Sequence, residues 1–205
     1  MGRRPLLPVA KLELVGGLPC LDLINTTGAR ASDAPRERLR RYEDLLVWSR
    51  RASILSAAEA DRLRAAATRR PAEARRALAR VLRLREDLYR LLRAVAEGSK
   101  PSPEAVRQVG KWWLADRRKR ELSAGDRGFS LRLRVSAREL DAMVWPIISS
   151  AVELLVSDLL TKVRRCGECD WLFMDASKNG SRRWCKKQCG DRVRARRHYR
   201  RLPRS

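Results

Sequence analysis

Four of the five cysteines in the sequence fall in one pattern, Cys166-x2-Cys169-x15-Cys185-x3-Cys189. Two close pairs of thiolates suit a tetrahedral Zn2+, which takes four soft ligands at about 2.3 Å each. Two intervening residues make a tight knuckle that points both sulfurs one way. Three intervening residues put Cys185 and Cys189 on one helical face, where i and i+4 are neighbours. Four protein thiolates leave no position for water, so the expected site is structural rather than catalytic. Free thiols, two disulfides or a redox-sensing cluster are the alternatives. Aromatic residues between the paired cysteines favour the metal. Cys20 has no partner at ligand spacing and is expected to be a buried apolar thiol.

The residues around this cluster carry a second chemistry. Trp171 and Phe173 alternate with Leu172 and Met174, Ser177 to Gly180 reads as a turn, and Ser181 to Trp184 is expected to return as the second arm of a hairpin. A helix should then leave the last cysteine, with Arg192, Arg196 and Arg200 on one outer row and Arg194, Arg197 and Arg201 on another. Ala195, Tyr199 and Leu202 would form its inner stripe. Rows of guanidinium groups on a rigid rod suit phosphate contact and bidentate reading of guanine. The turn adds Lys178, Asn179, Arg182 and Arg183. Part of this basicity is expected to offset the formal −2 charge of a zinc tetrathiolate.

Charge distribution points to the same place. The 205 residues carry a net charge of +23, from 47 Lys and Arg against 24 Asp and Glu. Residues 164–205 hold 14 basic and 4 acidic side chains, about three times the net density of residues 1–163. Such a chain attracts polyanions, either nucleic acid or an anionic surface. Arginine outnumbers lysine 39 to 8, so biased coding also explains scattered arginines on solvated helix faces. No window approaches the roughly 18 consecutive apolar residues of a membrane span, and the first residues lack a secretory pattern. A cytoplasmic protein without a membrane partner is expected, in a compartment where clustered cysteines bind metal rather than oxidise. No paired carboxylates, nucleophile with a base, or phosphate-binding glycine loop is present, and the one histidine, His198, lies in the basic tail, so no enzyme is expected.

The elements that must position these groups are mainly helical. Leu39, Tyr42, Leu45, Leu46 and Trp48 recur at helical spacing between Pro35 and Arg51. Ser56 with Glu59 forms a capping box for a helix to about Thr68. Pro71 opens the next helix, with Leu78, Val81, Leu82, Leu88, Leu91, Leu92 and Val95 on its core face. Pro103 opens a further helix carrying Val106, Val109, Trp112 and Trp113. Phe129, Leu131, Leu133 and Val135 alternate as a half-buried strand. A capping box at Ser136 and Glu139 should start a long apolar helix to Lys162, kinked at Pro146. The expected class is mainly α with a minor β element: a helical domain over 1–162, then a small treble-clef-like finger over 163–205.

The run Cys166-Gly-Glu-Cys169-Asp-Trp171-Leu-Phe173-Met-Asp175-Ala-Ser177-Lys178-Asn179-Gly-Ser181-Arg182-Arg183-Trp184-Cys185, continued by Cys189-Gly190-Asp191-Arg192, resembles the CGNR zinc finger. The upstream stretch Gly17-Leu-Pro-Cys20-Leu21-Asp22-Leu-Ile-Asn25-Thr26, with the Leu45 to Trp48 helix, is similar to the ABATE domain that precedes this finger. Proteins of this kind are regarded as stress-induced transcription regulators of bacteria. The resemblance implies a Zn2+ finger that binds double-stranded DNA, behind a domain that senses an unknown small-molecule effector or drives assembly. It also suggests a ligand pocket at Asp22 and Asn25; bracing a buried turn is the plainer role for both. Where the family has Asn after Cys-Gly, this chain has Asp191, which can cap the exit helix but cannot donate a hydrogen bond.

The sequence therefore reads as a zinc-dependent DNA-binding regulator, with a homodimer expected because one small finger spans few base pairs. The rival readings are an RNA-binding zinc protein, in which Trp171, Trp184 and Tyr199 would stack on bases, and a ligand-binding or protein-interaction module whose finger is only structural.

Overall fold

The computed structural model describes residues 8–30, 34–125, 128–133 and 139–201. It is 58% helical, and the described strands form three separate two-stranded antiparallel pairs, so helices build the body and strands serve only as local ties. After a 3-10 turn at Val9–Lys11 come α1 (Pro19–Ile24), β1 (Thr27–Gly28), β2 (Arg36–Glu37), α2 (Tyr42–Arg51), α3 (Ala57–Arg69), α4 (Pro71–Ala96) and α5 (Pro103–Arg117). The hairpin β3 (Arg120–Gly125) and β4 (Gly128–Leu133) follows, then α6 (Val144–Leu155) and a 3-10 turn at Asp158–Lys162. The finger comprises β5 (Val163–Arg165), β6 (Leu172–Met174) and α7 (Lys187–Arg201).

Helix α4 is the spine. Its 26 residues span about 39 Å at 1.5 Å per residue. Val81, Leu84, Leu88, Leu91 and Leu92 form its buried stripe, against α1, α2, α3, α5 and α6. Pro71 occupies its first turn, where the missing amide would have had no partner. The capping box of α3 forms as its sequence requires: Ser56 Oγ accepts from Glu59 N at 3.2 Å, and Glu59 Oε2 accepts from Ser56 N at 2.7 Å.

Several boundaries differ from sequence expectation. Helix α2 begins at Tyr42, not Pro35, because Arg36–Glu37 pairs with Thr27–Gly28. Asp44 then accepts the amides of Arg40 and Arg41, at 3.0 and 2.9 Å, and sets the helix start. Helix α6 ends at Leu155, and Pro146 is its third residue; a proline in the first turn removes no helical hydrogen bond, so no kink is required. The Ser136 cap and Val135 lie outside the described residues. Phe129, 77% exposed, does not take the half-buried position expected of it, and the side chains of Leu131 and Leu133 lie outside the described residues. Cys20 is fully buried, as expected.

A buried ion cluster fixes the first strand pair to the spine. Arg85, 4% exposed, donates to both carboxylate oxygens of Glu37 at 2.9 and 2.6 Å, and to Thr26 Oγ1 at 3.0 Å. Its Nε reaches Glu86, which also accepts from Arg30 at 2.6 Å. Burial opposes ionisation of Glu37, but bonding to Arg85 outweighs it and holds the carboxyl below its usual range. By holding Thr26, this cluster fixes the position of Thr27, whose carbonyl meets the finger.

Asp22 serves as a brace. It is buried, and Oδ1 accepts from Gly16 N at 2.7 Å, so it braces the chain entering α1. Burial pushes its carboxyl up to about 6, against the lowering effect of that amide. A folded-state value above the unfolded one means that the charged form opposes folding: the cost is complete above about pH 6 and fades as pH falls towards the unfolded value. Asp22→Asn keeps an acceptor for Gly16 without the charge. The difference in melting temperature between this variant and the native chain should shrink as pH is lowered from 7 to 5; a pH-independent difference would contradict the assignment.

Candidate metal centre and basic surface

The sulfurs of Cys166, Cys169, Cys185 and Cys189 all lie within 4.8 Å of one another. Individual separations are 3.5 Å for Cys169–Cys185 and 3.7 Å for both Cys185–Cys189 and Cys189–Cys169. A regular tetrahedron with 2.3 Å metal–sulfur bonds has edges of about 3.8 Å, so the donor set fits one ion. Contact among the sulfurs also shows why a cation is needed. Hydrogen bonding to Cys166 and Cys169 drives the Cys185 thiol far upward, while bonding from its neighbours drives Cys166 down. Adjacent thiolates repel one another, and a bound divalent cation would offset that repulsion. Cys185 lies just ahead of α7 and Cys189 is its third residue, so the pair straddles the helix start instead of sharing a helical face.

Local geometry around the sulfurs is set by Trp184. A Cβ added to Gly167 would stand 3.0 Å from Trp184 Cζ3, and one added to Gly190 would stand 2.9 Å from Cδ1. The indole is therefore flanked by the glycines that follow the first and last cysteines. A glycine inside a helix costs about 1 kcal/mol relative to alanine; Gly190 is retained in α7 because the ring occupies the space of a side chain. Gly167 N also donates to Arg183 O at 3.2 Å, tying the first knuckle to the segment before Cys185.

Strand β6 pairs with β5, in the register Val163↔Met174 and Arg165↔Leu172, and not with residues 181–184 as the hairpin expectation had it. Asp175 explains the difference. It accepts from Ser177 N, Ser177 Oγ and Arg182 N, at 2.9, 2.6 and 2.9 Å, which folds the following residues into a loop that never returns alongside β6. The Ser177 hydroxyl contributes most to holding this carboxyl below its ordinary range.

The opposite edge of β6 is filled by the N-terminal domain. Asn25 Nδ2 donates to Leu172 O at 2.8 Å, and Asn25 Oδ1 accepts from Leu172 N at 3.0 Å. Met174 N donates to Gly16 O at 3.0 Å, and Trp171 Nε1 to Thr27 O at 3.1 Å. The Asn25 side chain thus acts as a peptide unit of a third strand. With Asn25 only 1% exposed and its amide committed to Leu172, Asn25 has the bracing role that the sequence favoured over a ligand pocket, though its partner is the finger and not its own turn. Core packing is continuous here: Cys166, Trp171, Leu172, Phe173 and Cys189 belong to the same buried cluster as Leu21, Leu45 and Leu88.

The basic residues divide into two groups. Arg192 donates to Glu168 at 3.0 Å and to Cys189 Sγ at 3.1 Å, and Arg196 donates to Glu168 at 2.7 Å. Both arginines hold α7 against the knuckle, and Arg196 leads in keeping the Glu168 carboxyl below its usual range. Arg194 pairs with Asp191, which is the fifth residue of α7 and so cannot cap it. Lys178, Asn179, Arg183, Arg197 and Arg200 are exposed, and the side chains of Arg183, Arg197 and Arg200 meet no carboxylate among the described residues. Arg182 is anchored by Cys185 O at 2.7 Å and lies over Phe173. The side chain of Arg201, and all of Leu202, lie outside the described residues. Ala195 and Tyr199 are exposed, Tyr199 at 71%, so the expected inner stripe does not pack. Glu168 was missed from sequence, although an acid between two ligand cysteines of a basic segment was a readable signal.

A family model described as ABATE, a putative stress-induced transcription regulator, matches residues 17–158. A model of the CGNR zinc finger matches residues 162–202. No curated protein matches the chain. No helix among the described residues is long and apolar enough to cross a membrane.

Two substitutions test this construction. Asn25→Ala strips both partners from the buried Leu172 backbone, a loss of about 1–3 kcal/mol for each unsatisfied group. Denaturant unfolding should show that loss, and a chelator should extract metal at lower concentration although residue 25 is no ligand. Gly190→Ala should loosen metal binding similarly, despite raising helix propensity. Chelator curves matching the native protein would show that neither contact supports the centre.

Proposed function

From a chain that belongs to the ABATE family of putative stress-induced transcription regulators and carries a CGNR zinc finger, we propose a zinc-dependent DNA-binding regulator, acting by binding rather than by catalysis. Zn2+ is the ion of choice for four closed thiolates, and it supplies rigidity that a segment with so small a core lacks. Cys166, Cys169, Cys185 and Cys189 hold it.

The observation that carries the DNA reading is the position of the unpaired arginines. Ion pairs to Glu168 and Asp191 consume part of the charge of α7, while Arg183, two residues ahead of Cys185, and Arg197 and Arg200, further along α7, remain exposed. Guanidinium groups held on a rigid, metal-clamped frame suit phosphate binding and add base-edge contacts where they enter a groove. Burial of Trp171, whose indole N–H is taken by Thr27, favours duplex over a single strand that needs aromatic platforms. Exposed Tyr199 is the feature on which an RNA reading would rest.

The helical domain holds β6 and thereby the orientation of the finger. We assign it the input side of the regulator, with any effector acting through the Gly16–Thr27 contact. A second copy, bound to a matching half-site, would supply the reach that one finger lacks.

Selection of the zinc-loaded full chain against random duplex DNA, near physiological salt and with excess RNA competitor, should recover a motif; a palindrome would identify a dimer. Weak binding without a motif would remove the regulator reading. Cys185→Ser should lose zinc and, with it, most of the DNA affinity. Unchanged affinity and salt dependence in the zinc-free variant would show that the finger is not the binding element.

A further inference from the structure

Among the described residues, one basic concavity lies away from the exit helix. A hollow of about 610 Å3 is bounded by β5, the Gly167 knuckle and the Gly180–Trp184 segment. Four arginines line it, Arg164, Arg165, Arg182 and Arg183, and its lining includes no carboxylate. A second hollow of about 360 Å3 shares Ser181 to Trp184 and continues to Lys186 and Lys187 at the start of α7. Segment 181–184 is therefore a ridge with basic ground on both sides.

Their partners distinguish these arginines from those of α7. Arg164 donates to Thr161 O and Val163 O, at 2.6 and 3.0 Å, and Arg182 to Cys185 O at 2.7 Å. Backbone carbonyls orient a guanidinium without neutralising it, so both are held in place with their charge intact. Arg183 is exposed and its guanidinium meets no acceptor among the described residues. Arg165, at the rim, is matched by Glu97 and Asp170 at 3.1 and 2.8 Å. Arg164 and Arg182, fixed with their charge intact, suit a phosphodiester chain with little loss of side-chain freedom, and Arg183 adds an unneutralised guanidinium at the same hollow.

We propose that a nucleic-acid backbone seats in this hollow, with Arg164 and Arg183 as phosphate ligands and Arg182 lining the wall, so that the docking surface extends onto β5. The assignment rests on the DNA-binding reading and adds to it a residue outside the exit helix and the Lys178–Arg183 turn. Phosphate contacts position the duplex without reading sequence, leaving Arg197 and Arg200 as the groups free to reach further along it.

The test is fluorescence anisotropy of a short mixed-sequence duplex with the zinc-loaded full chain, over a range of salt concentrations. Each lost phosphate contact should flatten the log–log salt slope by about 0.9 and weaken binding about fivefold near 0.15 M salt. Arg183→Ala and Arg164→Gln should each do so, and the double variant should lose about thirtyfold. Arg196→Gln, whose native charge is matched by Glu168, should change the slope much less. Arg183→Ala decides the case if Arg164→Gln lowers stability or zinc content, because the Arg183 side chain supports nothing in the fold. Wild-type slopes in the Arg183 and Arg164 variants of a protein that binds DNA would overturn the groove and leave the regulator reading intact. Absence of salt-dependent binding by the native protein would overturn both.

Discussion

Strand β6 has two edges, and the molecule depends on both being filled. One edge pairs with β5; the other meets Gly16 O and the side-chain amide of Asn25. A three-residue strand with a bare edge would bury unpaired amides and carbonyls at a cost that so small a finger could not offset. By supplying the missing edge, the helical domain becomes part of the finger. The ion cluster around Arg85 matters for the same reason, since it holds Thr26 and so the adjacent Thr27, whose carbonyl accepts from Trp171.

The metal centre and the basic surface are linked by electrostatics as well as by sequence. Four thiolates around a divalent ion would carry a net negative charge, and Arg192, which donates to Cys189 Sγ, is placed to offset it. Glu168 then accepts from Arg192 and Arg196, making one acid the hinge pin between knuckle and helix. Some of the basic density of the segment is thus internal. What remains free is concentrated in the hollow beside β5 and along the exposed outer length of α7.

Sequence and structure agree where interactions are local. The two close cysteine pairs, the Ser56 capping box, the Pro71 start and the stripe of α4 each depend on residues a few positions apart along the chain. Readings failed where a distant residue competes. Helix α2 lost its first turns to a strand contact with Thr27–Gly28, and the expected return arm of the finger hairpin was displaced by β5 and by Asp175. Asn25 could be seen as a polar residue in an apolar stretch, but its partner lies 147 positions away.

The sequence by itself determined the ligand set, the basic character of the C-terminal segment, the helical class of the body and the kinship that the family models match. These follow from spacing, composition and periodicity, which are properties of the chain as written. Only the tertiary structure decided which arginines keep their charge, why glycine must follow two of the cysteines, and that finger and helical domain share one sheet edge and one core. Those outcomes depend on which carboxylate, ring or backbone edge arrives from elsewhere in the chain, and no local pattern encodes that encounter.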